Sequence, residues 1–164
     1  MNKLEFKEVV NASVEKTWEV LYSQYGEISV HHPGMPKSHY LGDSDKGEKG
    51  SARRCYFDDK LFVDETITEV NDKSGFKIEV NDHNLPLMKK EMGAEYQLKS
   101  IGENKTEITM TSYSGTSPGF LFFLFKGKMG KGLKKHLFGL KYYIETGKAI
   151  SADNYSEIFK SYNG

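Results

Sequence analysis

The stretch SPGFLFFLFKGKMGKGLKKHLFGLKYYIETG, residues 117–147, decides how the rest of the chain folds. Its apolar residues recur every three to four positions, a spacing that turns one side of an α-helix toward a core. Ser117 followed by Pro118 is typical of a helix start, and Gly147 is typical of a helix end. The stretch therefore predicts one amphipathic helix of about seven turns. Its predicted buried stripe consists of Phe122, Phe125, Met129, Leu133, Leu137, Leu140 and Ile144.

Glycines at four interior positions set this helix apart from an ordinary core helix: Gly127, Gly130, Gly132 and Gly139. Each interior glycine costs about 1 kcal/mol relative to alanine, so a compensating benefit is expected. Gly132 and Gly139 lie beside the apolar stripe, where they would leave open volume under the helix or let another backbone approach closely. The alternative is a helix that is kinked or broken.

The same stretch is rich in lysine and contains no carboxylate before Glu145. Such a run usually forms a solvated face, but a basic amphipathic helix also suits docking on an anionic membrane or partner. Peripheral membrane contact is therefore one of the open hypotheses. The lysines are Lys126, Lys128, Lys131, Lys134, Lys135 and Lys141.

Length and composition limit the classes of protein to consider. The chain has 164 residues, which suits one domain with a real core. Lysine plus arginine equals aspartate plus glutamate at 23 each, which argues against nucleic-acid binding. Cys55 is the only cysteine, and the opening residues MNKLEFKE lack the apolar core of a signal peptide, so we expect a cytoplasmic protein without an internal disulfide. The longest apolar run, residues 120–125, is far shorter than a membrane span.

Upstream of the long helix the apolar pattern has mostly a period of two. It predicts an initial strand, two short helical segments and then six strands joined by hairpin-length turns, hence an antiparallel sheet and an α+β fold. The predicted strands are 3–10, 38–41, 51–57, 61–70, 76–80, 87–101 and 106–114, and the helical segments are 13–26 and 27–31. We expect a domain over residues 1–148 and a tail over 149–164 that forms a short helix and packs on its own domain or on a second subunit.

The order and spacing of five segments resemble the START-like, or SRPBCC, superfamily, which includes polyketide cyclase- and dehydrase-like proteins. These segments are 12–20, 25–28, 50–54, 65–71 and 132–137. The resemblance implies a helix-grip fold, in which a curved seven-stranded antiparallel sheet wraps around a long C-terminal helix with two short helices after the first strand. It also implies a largely apolar cavity between the sheet and the helix. The reaction is not implied, because such folds host transfer proteins, receptors and enzymes.

Candidate ligand-binding residues follow from strand alternation combined with this resemblance. Alternation places Arg53, Cys55 and Phe57 on one face of their strand, and the resemblance turns that face toward the cavity. Glu65 and Ile67 are expected to point inward from the next strand. Arg53 and Glu65 would orient the polar end of a ligand; the alternatives are a structural ion pair or an arginine that reaches the rim. The remaining predicted lining residues are Met92, Tyr96, Met129 and Leu133.

Three residues of the segment His31-His32-Pro33-Gly34 are predicted to form the cavity entrance: His31, His32 and Pro33. A histidine there would serve as a general acid or base, because its ordinary pKa is near 6.5; simple solvent exposure is the alternative. No spacing of cysteine and histidine matches a closed zinc site, so neither a metal nor another cofactor is expected.

The leading functional hypothesis is binding, or transport, of a hydrophobic small molecule such as a lipid or polyketide. The alternative is a cyclase or dehydrase that uses the same cavity, with Glu65 or His32 as its acid–base group. The sequence leaves the identity of the ligand and the oligomeric state open.

Overall fold

A computed structural model describes residues 2–89 and 91–164 of the chain. Met1, predicted to belong to the domain, and Lys90, predicted to belong to the sixth strand, lie outside the described residues. The strands are β1 (Asn2–Val10), β2 (Lys37–Leu41), β3 (Ala52–Tyr56), β4 (Phe62–Asn71), β5 (Gly75–His83), β6 (Gly93–Gly102) and β7 (Lys105–Ser114). The helices are α1 (Val14–Trp18), α2 (Leu121–Thr146) and α3 (Tyr155–Ser161), with a π-helical turn at Glu19–Ser23 and a 3₁₀ helix at Tyr25–Val30.

The seven strands form one antiparallel sheet in the order β1-β7-β6-β5-β4-β3-β2. Strands β2 to β7 follow each other as a meander, and β1 pairs with β7 at the other edge. The inner face of the sheet packs against α1 and α2 through one apolar core that includes Trp18, Ile67, Ile108 and Leu140. The predicted helix-grip fold, with its curved seven-stranded sheet and long C-terminal helix, is confirmed.

The start of α2 differs from the prediction. The helix begins at Leu121, and no side chain in the described part of the chain caps it, so the predicted Ser117–Pro118 start is wrong. Ser117 is used elsewhere, because its N–H donates to the Leu87 carbonyl and ties this segment to the loop before β6. The predicted end is confirmed: Gly147 has φ +71° and donates its N–H to the Tyr143 carbonyl.

The buried face of α2 follows the predicted stripe at both ends but not in between. Phe122, Leu137, Leu140 and Ile144 are buried, whereas Met129 and Leu133 are only half-buried, and Phe125 is exposed. Lys141, predicted within the basic run, is instead largely buried: its Nζ donates to the Val9 carbonyl at 2.7 Å and to the Glu145 carboxylate at 2.8 Å. Its role is to fasten the helix to β1.

The segment between β5 and β6 also departs from the predicted boundaries. β5 continues to His83 because Asp82 and His83 still pair with β4, so the predicted turn at 81–86 begins too early. The predicted strand at 87 is wrong because Leu87 has φ +64°, which extended backbone does not allow. β6 begins only at Gly93.

The helical region after β1 is capped as its sequence suggests. Ser13 accepts a hydrogen bond from the Lys16 N–H at its start, but the α-helical turns end at Trp18 and continue as π and 3₁₀ turns. At the other end of the chain, Ile150 is buried and donates its N–H to the Val30 carbonyl.

The tail contacts its own domain. Aromatic rings of Tyr155, Phe159 and Tyr162 pack edge-on against Phe138 on the outer side of α2. The boundary at residue 148 stays a prediction.

Across residues 2–89 and 91–164, no helix combines the length and the apolar character that crossing a bilayer requires. The cytoplasmic location stays a prediction as well.

Candidate functional site

A cavity of about 580 Å³ lies between the inner face of the sheet and the first half of α2. Strands β3 to β7 supply its floor, α2 supplies its roof, and the loop after the 3₁₀ helix closes one side. Its exposed lining residues define what we call the mouth: Gly34, Phe57, Asp58, Lys128 and Gly132. Its apolar walls include Ile28, Met35, Val63, Leu85, Met92, Ala94, Met110, Met129 and Leu133.

The glycines of α2 explain why the cavity is under one half of the helix only. At Gly139 a Cβ atom would collide with the His31 carbonyl oxygen and lie within 3.0 Å of Pro33, so the backbone of the 31–33 loop packs directly on the helix. At Gly132 a Cβ would meet no described atom within 4 Å. Close approach and open volume, both predicted as roles for these glycines, thus occur at different positions of one unbroken helix.

Arg53 and Glu65 form a buried ion pair on the cavity floor. They are direct partners in the register between β3 and β4, and their side chains are about one-tenth exposed or less. The Arg53 Nη2 and Nε donate to Glu65 Oε2 at 2.7 and 3.0 Å, and Nη1 donates to the Tyr25 carbonyl at 2.6 Å. The guanidinium also stacks on the Tyr25 ring at 3.8 Å. Arg53 is therefore held by its own chain from several directions.

Glu65 is less completely engaged than Arg53. Its Oε2 accepts both hydrogen bonds from Arg53 and lies 4.0 Å from the Cys55 Sγ, whereas Oε1 accepts none from the residues that the structure describes. Glu65 lines the cavity. Since an ionised carboxylate only accepts hydrogen bonds, this oxygen can receive a donor from a molecule inside the cavity.

Three histidines and a tyrosine form a second polar group beside this pair. The Tyr96 hydroxyl lies 2.9 Å from His136 Nε2, and the His136 ring stacks on His32 at 4.5 Å and on His31 at 5.7 Å. Tyr96, His32 and His136 line the cavity, and His31 lies behind them. The Nδ1 atoms of His31 and His136 are buried without a hydrogen-bond partner among the described residues.

This environment keeps the imidazoles neutral. Burial lowers the pKa of His31 to about 3 and that of His32 to about 4, and the neighbouring Arg53 charge acts in the same direction. Burial likewise holds the pKa of His136 well below its ordinary value and raises the pKa of the Tyr96 hydroxyl. His32 Nδ1 accepts the Gly34 N–H, so the ring proton of neutral His32 is on Nε2.

The structure gathers most of the predicted site residues around the cavity, but not all of them. Those that line it are Arg53, Phe57, Glu65, Met92, Tyr96, Met129, Leu133 and His32. Cys55 and Ile67 point inward as predicted, yet they are fully buried in packed core and do not line the cavity. His31 and Pro33 are also buried, because Gly139 lets their loop press against α2, so they do not form an entrance. Ligand contact by the lining residues stays a prediction.

His136 is the main lining residue that the sequence analysis missed as a site candidate. It lies three positions after Leu133, which places it on the same face of α2. That spacing was the available signal.

Burial of the Cys55 thiol raises its pKa to about 12, which leaves it protonated and unsuited to act as a nucleophile. Among the described residues, no three side chains of histidine, cysteine, aspartate or glutamate are grouped as metal ligands.

Comparisons with known proteins agree with this architecture. Residues 1–145 match the family profile described as polyketide cyclase / dehydrase and lipid transport. Among solved structures, a protein from Thermobifida fusca is 17% identical with a TM-score of 0.71, covering 88% of this chain and 93% of its own. The Zhui aromatase/cyclase from Streptomyces sp. R1128 is 14% identical with a TM-score of 0.66, covering 91% and 99%. A protein from Nitrosospira multiformis is 12% identical with a TM-score of 0.69, covering 89% and 98%. No curated protein matches the chain.

Proposed function

The chain belongs to the polyketide cyclase / dehydrase and lipid transport family, and on that premise we propose that it binds a hydrophobic small molecule, such as a lipid or polyketide, in the cavity under α2. The observation that carries the proposal is the cavity of about 580 Å³ with apolar walls and a few polar groups on its floor. Small-molecule sites typically have volumes of about 300–1,000 Å³ and this same balance of apolar and polar lining.

The polar floor favours a ligand with a hydrogen-bond donor at one end. Arg53 is already engaged by Glu65 and Tyr25, so it offers little to a carboxylate. The open Glu65 Oε1 is negative, which repels a carboxylate and accepts from a hydroxyl. A chain-like molecule that ends in a hydroxyl therefore fits the cavity better than the corresponding acid.

Competition with a fluorescent apolar probe, anilinonaphthalene sulfonate, tests this proposal. The competitors are 1-dodecanol, its methyl ether and dodecanoate, which share one chain and differ at the polar end. We expect 1-dodecanol to bind about tenfold more tightly than the ether, because a hydrogen bond to a charged acceptor contributes about 1.5–3 kcal/mol. Glu65→Gln should reduce that preference and favour dodecanoate, since Arg53 loses its counter-charge. Equal affinity of all three competitors, or no competition, would contradict the proposal.

A second candidate function is cyclisation or dehydration of a polyketide-like substrate in the same cavity. The observation in its favour is the group of proton-transferring side chains that faces the cavity, namely Glu65, His32, His136 and Tyr96. Glu65 would remove a proton from a carbon between two carbonyls, and that carbon would attack a third carbonyl of the same chain, whose oxygen the neutral His32 would hydrogen-bond from Nε2. The proton on Glu65 would then pass to this oxygen, and the resulting hydroxyl would leave as water together with a second proton from the attacking carbon.

Mass spectrometry tests this second function with a poly-β-keto thioester as substrate. Enzymatic cyclisation with dehydration appears as a product that has lost water, formed faster than without protein. Glu65→Gln should abolish the acceleration, whereas Glu5→Gln, on the exposed side of β1, should not change it. Equal rates with and without wild-type protein would exclude this substrate class.

A further inference from the structure

The N-cap residue Phe120 and the first two turns of α2 expose large apolar side chains. Phe120, Phe123 and Leu124 have 66%, 77% and 73% of their surfaces accessible, and Phe125 has 37%. Exposed apolar clusters of this kind mark contact sites, because keeping such a side chain in water costs free energy that burial would recover. Leu87, also exposed, accepts a hydrogen bond at its carbonyl from the N–H of Ser117, three positions before Phe120.

A basic surface continues along the same side of the helix. At 100° per residue, Lys131, Lys134 and Lys135 are on the side that carries Phe120 and Leu124, and Lys128 flanks it. Lys126 is on another side of the helix and directly follows the apolar residues. All five lysines are exposed, and none forms an ion pair with a described residue. No acidic residue occurs between Glu107 and Glu145. We call the four apolar residues Phe120 and Phe123 to Phe125, together with these five lysines, the docking surface.

We propose that the docking surface binds an anionic lipid bilayer. The apolar residues come first along the helix, and the lysines follow from about 9 Å behind Phe120 at 1.5 Å per residue. An amphipathic segment buries its apolar side chains about 5–10 Å deep at the boundary between head groups and acyl chains. With the aromatic residues at that depth, Lys126 and Lys128, about 9 and 12 Å behind Phe120, meet the anionic head groups. Lys131, Lys134 and Lys135 are farther from the bilayer and add longer-range attraction.

The charge of the docking surface argues against the other candidate occupants. In a symmetric pair of chains the five lysines of one copy would face the five of the other, and among the described residues Glu8 is the one acidic side chain in the groove that Lys131, Lys134 and Lys135 line. A nucleic acid would be drawn to the lysines but would leave the phenylalanine cluster in water. Only a surface with an anionic layer above an apolar one matches both parts.

The docking surface adjoins the mouth of the cavity. Lys128 belongs to both, and it is one helical turn beyond Leu124. Asp58, the acidic residue at the mouth, accepts hydrogen bonds at its Oδ1 from the backbone N–H groups of Lys60 and Leu61. A docked chain would therefore open its cavity toward the lipid. Docking itself does not depend on the proposed cavity function, and vesicle binding is measured without a cavity ligand.

Vesicle co-sedimentation of the full chain tests this inference. We expect binding to vesicles of phosphatidylcholine and phosphatidylglycerol at 3:1 that is at least tenfold stronger than to phosphatidylcholine alone, and weaker at high salt. Phe123→Ser combined with Leu124→Ser should abolish binding. Lys126→Gln combined with Lys131→Gln should weaken it about fivefold for each charge removed.

Matched controls lie at the opposite end of the sheet, in the β6–β7 hairpin. Ile101→Ser replaces an exposed apolar residue, and Lys99→Gln combined with Lys105→Gln removes two exposed charges. These variants should bind vesicles like the wild type. The inference is overturned if anionic and neutral vesicles bind equally or not at all, or if the docking-surface variants behave like the controls. Self-association that Phe123→Ser and Leu124→Ser abolish, without vesicle binding, would assign the surface to a second copy instead.

Discussion

Arg53 and Glu65 can remain charged inside the protein only because they face each other across β3 and β4. Removing one partner of a buried pair leaves the other as an uncompensated charge, which typically costs about 3–5 kcal/mol. We expect Arg53→Ala to lower the free energy of unfolding by this amount in urea denaturation. Lys7→Ala, which breaks the exposed pair with Glu107, should cost under about 1 kcal/mol.

The double variant Arg53→Met with Glu65→Leu separates charge from packing in this experiment. Because both charges are absent, it should recover most of the stability lost in Arg53→Ala. A loss below about 1 kcal/mol in Arg53→Ala would contradict the account of this pair, since it would mean that water reaches the Glu65 carboxylate freely.

His31 makes stability depend on pH in a predictable direction. Its pKa is about 3 in the folded chain, because of burial, and near 6.5 when unfolded, so below about pH 6.5 the unfolded chain binds the extra proton. The contribution of His31 to the free energy of unfolding is therefore fully present above about pH 6.5 and is lost as the pH is lowered toward 3. At pH 5 the loss from His31 should reach about 2 kcal/mol.

Unfolding in urea at pH 7 and pH 5 measures this effect. The fall in stability should be smaller in His31→Phe by about 2 kcal/mol, because the ring remains but the titrating group is gone. His39→Phe, at an exposed position of β2, should fall as much as the wild type. If His31→Phe and the wild type lose equal stability, His31 is not neutral in the folded chain.

Strand alternation placed Arg53 on one face of its strand, and the family resemblance turned that face and Glu65 inward; a structural ion pair between the two was one of the alternatives to ligand contact. The same rule failed to separate cavity residues from core residues: Cys55 and Ile67 share the inner face, but the space under α2 extends over only part of it. That limit depends on how the helix crosses the sheet, and no local pattern in the sequence encodes the crossing.

At the scale of single elements, α2 combines tight packing in one half with open space under the other. Gly139 has no room for a side chain, so Gly139→Ala should push the 31–33 loop away and cost about 1–3 kcal/mol. Gly127, exposed on the same helix, has no atom of a described residue within 4 Å of its Cβ position. Gly127→Ala should therefore stabilise the chain by about 1 kcal/mol through helix propensity alone.

Thermal unfolding of both glycine variants checks this difference. Opposite shifts in Tm are expected, with Gly139→Ala below and Gly127→Ala above the wild type. A Tm of Gly139→Ala at or above that of the wild type would mean that the contact between α2 and the 31–33 loop is not needed for stability.

Element boundaries were predicted well where a local interaction fixes them and poorly where a distant one does. The end of α2 was correct because Gly147 closes the helix with its own left-handed backbone. The start was wrong because Ser117 bonds to Leu87, a residue 30 positions earlier in the chain. The positive φ of Leu87 shows the same limit, since its identity gives no hint of it.

At the scale of the whole molecule, the topology followed from the sequence. Short turns between strands of period two force an antiparallel meander, and one long amphipathic helix has only that sheet to cover. The volume and position of the cavity could not be predicted in this way. The cavity depends on two glycines that are seven residues apart in α2. Gly132 leaves space beside the helix, and Gly139 allows the 31–33 loop to pack against it.

The central claim is that a small hydrophobic molecule occupies the space under α2. Gly132→Leu tests it, because Gly132 lines the mouth and a Cβ there meets no described atom within 4 Å, so the added side chain would occupy space at the mouth; Gly127→Leu adds the same side chain on the outer side of the helix. Both variants should fold at least as stably as the wild type.

The most direct measurement is native mass spectrometry of the freshly purified wild type and these two variants, followed by denaturing extraction of any released molecule. A second aliquot of each is first incubated with 1-dodecanol. We expect a small-molecule adduct on the wild type and on Gly127→Leu, and little or none on Gly132→Leu. A wild type that carries no adduct even after incubation, or an equal adduct on Gly132→Leu, would contradict the claim.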